Sequence, residues 1–430
     1  MNTHIISIGN ELLIGDTTNT NASWIGRHLT EVGMNVTRVH TIPDDAELIK
    51  SVISQSMKEA DLVITTGGLG PTHDDITKKA VCELFDVEMQ LNQTVLDFIK
   101  EMFAKRGIPF SGSNNAQAFV PVNCEVLFNK AGTAPGMWFH ENGSYLAVLP
   151  GVPSEMEYLM KKWVLPKIGH LFPETGVIHK RYLKVAGIGE STLSDNILPD
   201  LRNLLGKQKH VTVAFLPSHG NITLRVNSTA NTLAEAEQKI QPVIEYIYEK
   251  AGIFIYGEGK EVTLSEVIGS LLKERKLTIA VAESCSGGLI ANLLTDIPGS
   301  SEYMMGGVVA YSNSVKKEVL GVSQTDIETV GAVSKEVALQ MAQNVAARLG
   351  ADIGISTTGV AGPGGGTPEK PVGTIWIGFF GLGYHFALNA RLTNDRLINK
   401  SRAASTTLET VRRVLKGIDT MPYQLKQFSA

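Results

Sequence analysis

Two stretches of this chain, residues 4–156 and 260–417, alternate short apolar runs with segments of helical spacing, and that alternation narrows the possible folds more than any other feature. In the first, HIISIG (4–9) precedes a helical pattern carrying Trp24, Ile25, His28, Leu29 and Val32. NVTRVHTI, a helix beginning near Asp44, and the run DLVITTGG (61–68) follow. Strand–helix–strand order of this kind predicts a parallel sheet with right-handed crossovers. Ligands of such sheets lie beyond the carboxyl ends of the strands. The second stretch opens with a helix over TLSEVIGSLLKERK, the strand LTIAVAES (277–284) and a helix GGLIANLL (287–294). After it come the strands GGVVAYSN and DIGISTTGVAG separated by a helix, then the strands TIWIGFF and YHFALNARL, and a last helix from about Asp395. Between the two stretches the pattern changes to a strand, a Gly turn, a hairpin around Pro217 to Gly220, and one long helix ending at a Gly. The expected architecture is α/β: two three-layer α/β/α domains, 1–172 and 258–420, joined by a small α+β domain, 173–257.

The bulk properties agree. At roughly 150 residues per domain, 430 residues suggest three domains. A hydrophobic content of 43% rules out wholesale disorder. With a net charge of −4 and no run of Lys and Arg, nucleic acid is not expected as a partner. Cys82, Cys124 and Cys285 form no CxxC pair, which argues against a disulfide framework or structural zinc and fits a reducing compartment. No stretch approaches the ~18 apolar residues of a membrane span, and the start MNTHIISIGNELL lacks the basic region of a signal peptide. A cytoplasmic protein without membrane contact is expected.

In the C-terminal stretch, AESCSGG (282–288) sets Ser284, Cys285 and Ser286 where an apolar strand meets a Gly-started helix. Amides of Ser286, Gly287 and Gly288 at such a corner suit an oxyanion or a phosphate, helped by the helix dipole. The same residues also suit a helix cap. Cys285 is a rival nucleophile. A hydroxyl nucleophile needs a base, and YSNSVKKEV (311–319) offers Tyr311 and Lys316. Lysine serves when desolvation lowers its pKa, although most lysines are simply solvated. GVAGPGGGTPEKPVGT (359–374) holds six Gly and three Pro, a composition that lets backbone approach a ligand or merely makes a long connection. Arg396, in the first turn of the last helix, opposes the helix dipole, and a phosphate or carboxylate ligand would justify it.

The N-terminal stretch has two polar clusters at strand carboxyl ends. GNELLIGDTTNTN (9–21) carries Glu11, Asp16, Asn19 and Asn21; TGGLGPTHDDIT (66–77) carries Gly67, Gly68, Gly70, Asp74 and Asp75. Gly-spaced amides suit a phosphate, and the pair Asp74 and Asp75 suits a divalent cation. Asp74, Asp75 and Thr77 could equally cap the following helix.

The motifs AESCSGG, YSNSVKK, GVAGPGGGTPEKPVGT and NDR resemble, in order, those of the nicotinamide-nucleotide amidohydrolase (NMN deamidase) family, which forms the C-terminal domain of CinA proteins. The resemblance implies Ser284 as nucleophile, Lys316 as base and Tyr311 as assisting hydroxyl. It also implies a substrate pocket lined by Thr358 and the Gly359–Gly366 loop, including Gly362 and Gly364, with Arg396 binding the substrate. Ser286 stands where the family usually has Thr. GGLGPTHDD, ELLIGDTTNTNA and PGVPSEM (150–156) resemble the MoaB/MogA-like molybdopterin-binding fold in its CinA version. That likeness implies metal-dependent ADP-ribose pyrophosphatase activity, with Mg²⁺ or Co²⁺ at Asp74 and Asp75 and a nucleotide site including Glu11, Asn21, Gly67, Gly68 and Gly70. Asn10 and Asn19 replace acids usual there, which removes carboxylates from such a metal site. The middle segment resembles the KH-like linker of these proteins; GIGE (187–190) lacks the second Gly of a nucleic-acid clamp, so a spacer or dimerisation element is expected. The resemblance further implies a homodimer, the nucleotides NMN and ADP-ribose as partners, and no cofactor for deamidation. Two other readings stay open here: an amidase with a non-catalytic nucleotide-binding N-terminal domain, and a molybdopterin or cofactor-binding protein.

Overall fold

The computed structural model describes residues 1–72, 75–107, 109–110, 115–172, 176–208, 210–218 and 220–430. They fall into two compact units, the first made of Met1–His179 with Thr229–Glu237 and the second of Lys180–Ser228 with Gln238–Ala430.

The first unit is built on a sheet whose described strands run Asn35–Ile42, Asn2–Ile8, Leu62–Thr66, Ser144–Leu149, Gly136–Glu141 and Glu125–Leu127 from edge to edge. The first four are parallel and the last two antiparallel. Side chains alternate across a strand, and both faces here are covered. Ile5 and Ile64 pack with Ile25 and Leu29 of the helix Thr20–Glu31 on one face; Ile6 and Val63 pack with Ile49 and Ile53 of the helix Ala46–Glu59 on the other. This is the expected three-layer arrangement, and the strand NVTRVHTI is found as read. The helix Gln93–Arg106, capped by Asn92, was not read from the sequence.

In the second unit the middle segment forms a sheet ordered Val211–Ser218, Asn221–Ala230, Val177–Ala186, Ile255–Glu258. The expected hairpin pairs Ser218 with Asn221. Ile222, Leu224 and Val226 alternate inward against Ile240, Val243 and Ile247 of the helix Leu233–Ala251, the α+β layering expected.

The C-terminal sheet runs Met304–Val309, Ile279–Glu283, Ile353–Gly359, Thr374–Gly381, Tyr384–Arg391, Gln427–Ser429. Its first three strands are parallel and the rest antiparallel, so it is mixed. Ile279 and Val281 face the helices Leu264–Arg275 and Arg396–Lys416, while Ala280 and Ala282 face the helix Lys335–Leu349. The small residues on that second face let the helix lie close. Among the described residues no helix is long and apolar enough to cross a membrane.

Candidate active site

Register decides which residues meet. In the parallel part of the C-terminal sheet, Glu283 lies opposite Val309 on one side and Thr357 on the other. Residues just beyond these positions therefore share one end of the sheet: Ser284 in the middle, Ala310 and Tyr311 beside it, Thr358 on its far side. Ser284 continues the pairing, its amide donating to Thr357 O at 2.9 Å. The chain then turns through Gly287 and Gly288, both at positive φ, into the helix Leu289–Thr295.

Lys316 enters from the short helix Asn313–Glu318, which Ser312 caps. Its side chain is only 2% exposed, and its Nζ lies 3.0 Å from Ser284 Oγ, 2.8 Å from Ala310 O and 3.5 Å from Tyr311 O. Burial pushes its pKa down from the ordinary lysine value. The solvated lysine that the sequence also allowed is not what the structure contains. Cys285 is 5% exposed and burial pushes its thiol up to about 12, so it is a thiol rather than a thiolate at neutral pH.

Ser284 is not a helix cap. That task belongs to Glu283, which is 1% exposed and reaches forward past the turn. Its carboxylate accepts from the amides of Gly288 (3.0 Å), Ile290 (3.0 Å) and Ala291 (2.8 Å). The amide of Gly287 donates back to Ser284 O at 3.2 Å. The expectation that the Gly287 and Gly288 amides point at an oxyanion is thereby corrected: both have acceptors within the turn.

Arg396 opens the last helix, whose N-cap is Asp395. Its guanidinium donates to Gly362 O at 2.7 Å and to the Tyr311 hydroxyl at 2.6 Å, and it makes no ion pair among the described residues. Tyr311 is 60% exposed, with its hydroxyl on Arg396. Asn399 is fully buried one turn on; it donates to Ala361 O and Thr393 O and accepts from the Thr393 amide, tying the glycine-rich loop to the helix start.

Ser284, Lys316, Tyr311, Asn313, Thr358 and Arg396 line a single cleft of about 250 Å³, with Gly359 also on its wall. Thr358 spends its hydroxyl on Ala332 O. Ser286, Gly287, Gly288, Gly362 and Gly364 are not on the wall. Ser286 is fully buried with its hydroxyl 2.6 Å from that of Thr357, and Gly362 serves by holding Arg396. Lys370 anchors the glycine-rich loop on Val330 O.

The N-terminal set is spread out. Asn21 donates to Thr66 Oγ1 and Gly151 O, which ties the start of its helix to the ends of two strands. Gly67 and Gly68 are close-approach positions: a Cβ would lie 2.1 Å from Ile8 O at the first and 2.1 Å from Thr77 Oγ1 at the second. Glu11 is exposed and folds back over Gly9. Gly70 and Asp75 line a cleft of about 450 Å³ together with Thr72, Lys78 and Lys79. The Asp75 carboxylate accepts from the Thr72 amide and hydroxyl, closing its own turn rather than capping the next helix. Lys78 Nζ donates to Ala116 O, Gln117 O and Phe119 O, and burial brings its pKa down to about 8. Asp74, expected beside Asp75 as a metal ligand, lies outside the described residues. Among the described residues no three His, Cys, Asp or Glu side chains gather as a metal site would require.

Three family models match the chain in order: the probable molybdopterin binding domain over 4–170, the damage-inducible protein CinA KH domain over 180–257, and the CinA C-terminal domain over 261–415. A CinA-like protein of Dictyoglomus thermophilum is 42% identical over 97% of this chain and 100% of its own length. The chain belongs to the CinA family. A second CinA-like protein, from Cytophaga hutchinsonii, is 40% identical over 97% of the chain and 100% of its own. The crystal structure of the protein CinA from Thermoplasma acidophilum, 36% identical, covers 39% of this chain and 96% of that one, with a TM-score of 0.36.

In this CinA-family protein, sequence reasoning missed Glu283 and Asn399. An acid as the last residue of an otherwise apolar buried strand was the available signal for the first, and an Asn one helical turn past Arg396 for the second. Glu283→Ala strands three amides at the start of the helix behind Ser284, a loss of about 2 kcal/mol or more. The variant should unfold at lower temperature and show a reduced kcat with a smaller change in KM, with Glu283→Gln intermediate because one acceptor oxygen remains. Unchanged melting and turnover in the Ala variant would remove Glu283 from this role.

Proposed function

We propose that the C-terminal cleft hydrolyses the carboxamide of nicotinamide mononucleotide to nicotinate mononucleotide and ammonia. The observation that carries this reading is the 3.0 Å approach of Lys316 Nζ to Ser284 Oγ in a buried setting. A neutral amine has two N–H donors and one lone pair. The carbonyls of Ala310 and Tyr311 suit the two donors, which leaves the lone pair facing the serine hydroxyl.

Lys316 takes the proton of Ser284 as Oγ bonds to the carboxamide carbon. The negative charge that develops on the carboxamide oxygen is met by the amide of Cys285, the turn residue that lines the cleft beside Ser284. The C–N bond breaks, and Lys316 returns the proton to the leaving nitrogen as ammonia departs. Water, deprotonated by the same amine, then attacks the acyl carbon; the bond to Oγ breaks as Lys316 returns that proton to Oγ, and the carboxylate is released. Arg396, without an acidic partner, receives the substrate phosphate.

The assay is ammonia release from nicotinamide mononucleotide by the purified chain. In the same assay Arg396→Ala should raise KM about tenfold or more, the loss of a charge-assisted contact, with kcat changed far less. An unchanged KM, or no ammonia from the parent protein, contradicts the proposal.

The N-terminal cleft supports a second reading, an ADP-ribose pyrophosphatase, because Lys79 lines it beside Gly70 and Thr72. A lysine near a Gly turn suits a diphosphate. Incubation with ADP-ribose and a divalent metal should yield AMP and ribose 5-phosphate, and no product would leave that domain a binding module.

A further inference from the structure

Away from the amidase cleft, and sharing no wall residue with it, a hollow of about 390 Å³ lies between the middle segment and the C-terminal domain, within the second unit. The seam around it is tightly built. Gly220, at φ +93, brings the hairpin tip so close to the last helix that a Cβ would lie 2.8 Å from the Ser405 side chain. Ser405 Oγ donates to Asn221 Oδ1 at 3.2 Å, and Arg412 donates to Ile253 O at 2.6 Å. The middle segment is therefore docked on this domain.

One residue bridges the hollow. The amide of Tyr423 donates to Gly187 O at 2.6 Å, at the start of the GIGE loop, and its hydroxyl donates to Gly220 O at 3.0 Å, at the hairpin tip. Tyr423 and its neighbour Gln424 have φ of +53 and +55. The other described non-glycine residues at positive φ end helices (Asp86, Lys276) or sit in hairpin turns (Asn142, Leu382). Tyr423 and Gln424 are the central residues of a turn closed by the Leu425 amide on Pro422 O at 3.0 Å, and that turn sets Tyr423 against both sides of the hollow.

The walls state what would fit. Ile188, Pro217, Ile222, Leu392 and Leu425 supply apolar surface. Arg391 and Arg402 bring two exposed guanidiniums that make no ion pair among the described residues. Glu190, from the GIGE loop, is the acid among the lining residues. Guanidiniums match phosphate oxygens. A carboxylate beside them favours a ligand that also has hydroxyl or amino donors, and the apolar wall favours one with a ring. The volume falls in the range of about 300–1,000 Å³ usual for small-molecule sites. We propose that this hollow is a second ligand site, independent of the amidase reading, for a nucleoside monophosphate whose phosphate sits on Arg391 and Arg402.

Isothermal titration of the full chain tests it, with AMP and inorganic phosphate as probes. The parent protein should bind AMP with a Kd of about 1 mM or tighter, and phosphate at least about tenfold more weakly. The double variant R391A/R402A should lose one AMP site per chain, or weaken it at least about tenfold, the equivalent of one charge-assisted contact. Arg402→Glu alone should do the same, while Arg396→Ala should leave this site intact. Both substituted arginines are exposed, so the variants should melt with the parent. Equal AMP stoichiometry and affinity in parent and double variant, or loss in Arg396→Ala instead, would overturn the proposal.

Discussion

Ser284→Ala should lower ammonia release from nicotinamide mononucleotide by on the order of 10³-fold or more, while Cys285→Ala stays within a few-fold of the parent. The expectation follows from the different situations of two adjacent side chains. Ser284 Oγ is 3.0 Å from a buried amine and lines the cleft. Cys285 lines the same cleft, but burial holds its pKa at about 12, so almost none of it is thiolate near neutral pH. Thiols are the better nucleophiles only once deprotonated. Nucleotide binding should survive in Ser284→Ala, because Arg396 and the walls of the cleft are untouched and the hydroxyl contributes little to the ground state. Isothermal titration with nicotinamide mononucleotide checks that half, and a coupled ammonia assay the other. Full activity in Ser284→Ala together with its loss in Cys285→Ala would reverse the assignment.

How much of this was legible in the sequence depends on the range of the interaction concerned. The alternation of apolar runs and helical spacing gave both three-layer domains, because burial on two faces leaves a local signature in each strand. Residue types at strand ends gave Ser284, Lys316 and Arg396 as individuals. Their meeting was not legible: 32 positions separate Ser284 from Lys316, and only the pairing of Glu283 with Val309 brings them to one end of the sheet. The role of Glu283 was hidden for a similar reason. A side chain that reaches over its own turn to three amides looks, in a linear sequence, like an acid at a strand end. The edge strand Gln427–Ser429 lay in a short polar tail with no alternation long enough to mark it. In the N-terminal domain, Gly67 and Gly68 suggested phosphate contact, but their backbone is committed to packing against Ile8 and Thr77.

Lys316→Met should abolish deamidation, by about 10²-fold or more for loss of a general base, and at the same time make the fold more stable near neutral pH. A buried ammonium is disfavoured by desolvation, and Lys316 has no carboxylate beside it among the described residues to offset that cost; its contacts are Ser284 and two carbonyls. Methionine of similar length removes the desolvation cost and fits the same channel. The pH dependence gives the sign. Burial lowers the folded-state pKa below the ordinary lysine value of 10.5, so between those two pKa values the unfolded chain binds more protons than the folded one. Parent stability should then rise with pH across that window, by at most about 1.4 kcal/mol per pH unit for one proton, relative to Lys316→Met. The advantage of the variant is therefore largest below the folded pKa and shrinks as pH climbs towards 10.5. Activity of the parent should rise through the same folded pKa, since only the neutral amine can take the serine proton. Lys316→Arg should be inactive across the whole range, because a guanidinium does not deprotonate. Paired denaturant titrations and pH–rate profiles of parent and variant measure both arms. A stability difference that stays flat with pH, or a parent rate without a rising limb below 10.5, would mean that the amine at 316 is not the group whose ionisation sets the chemistry.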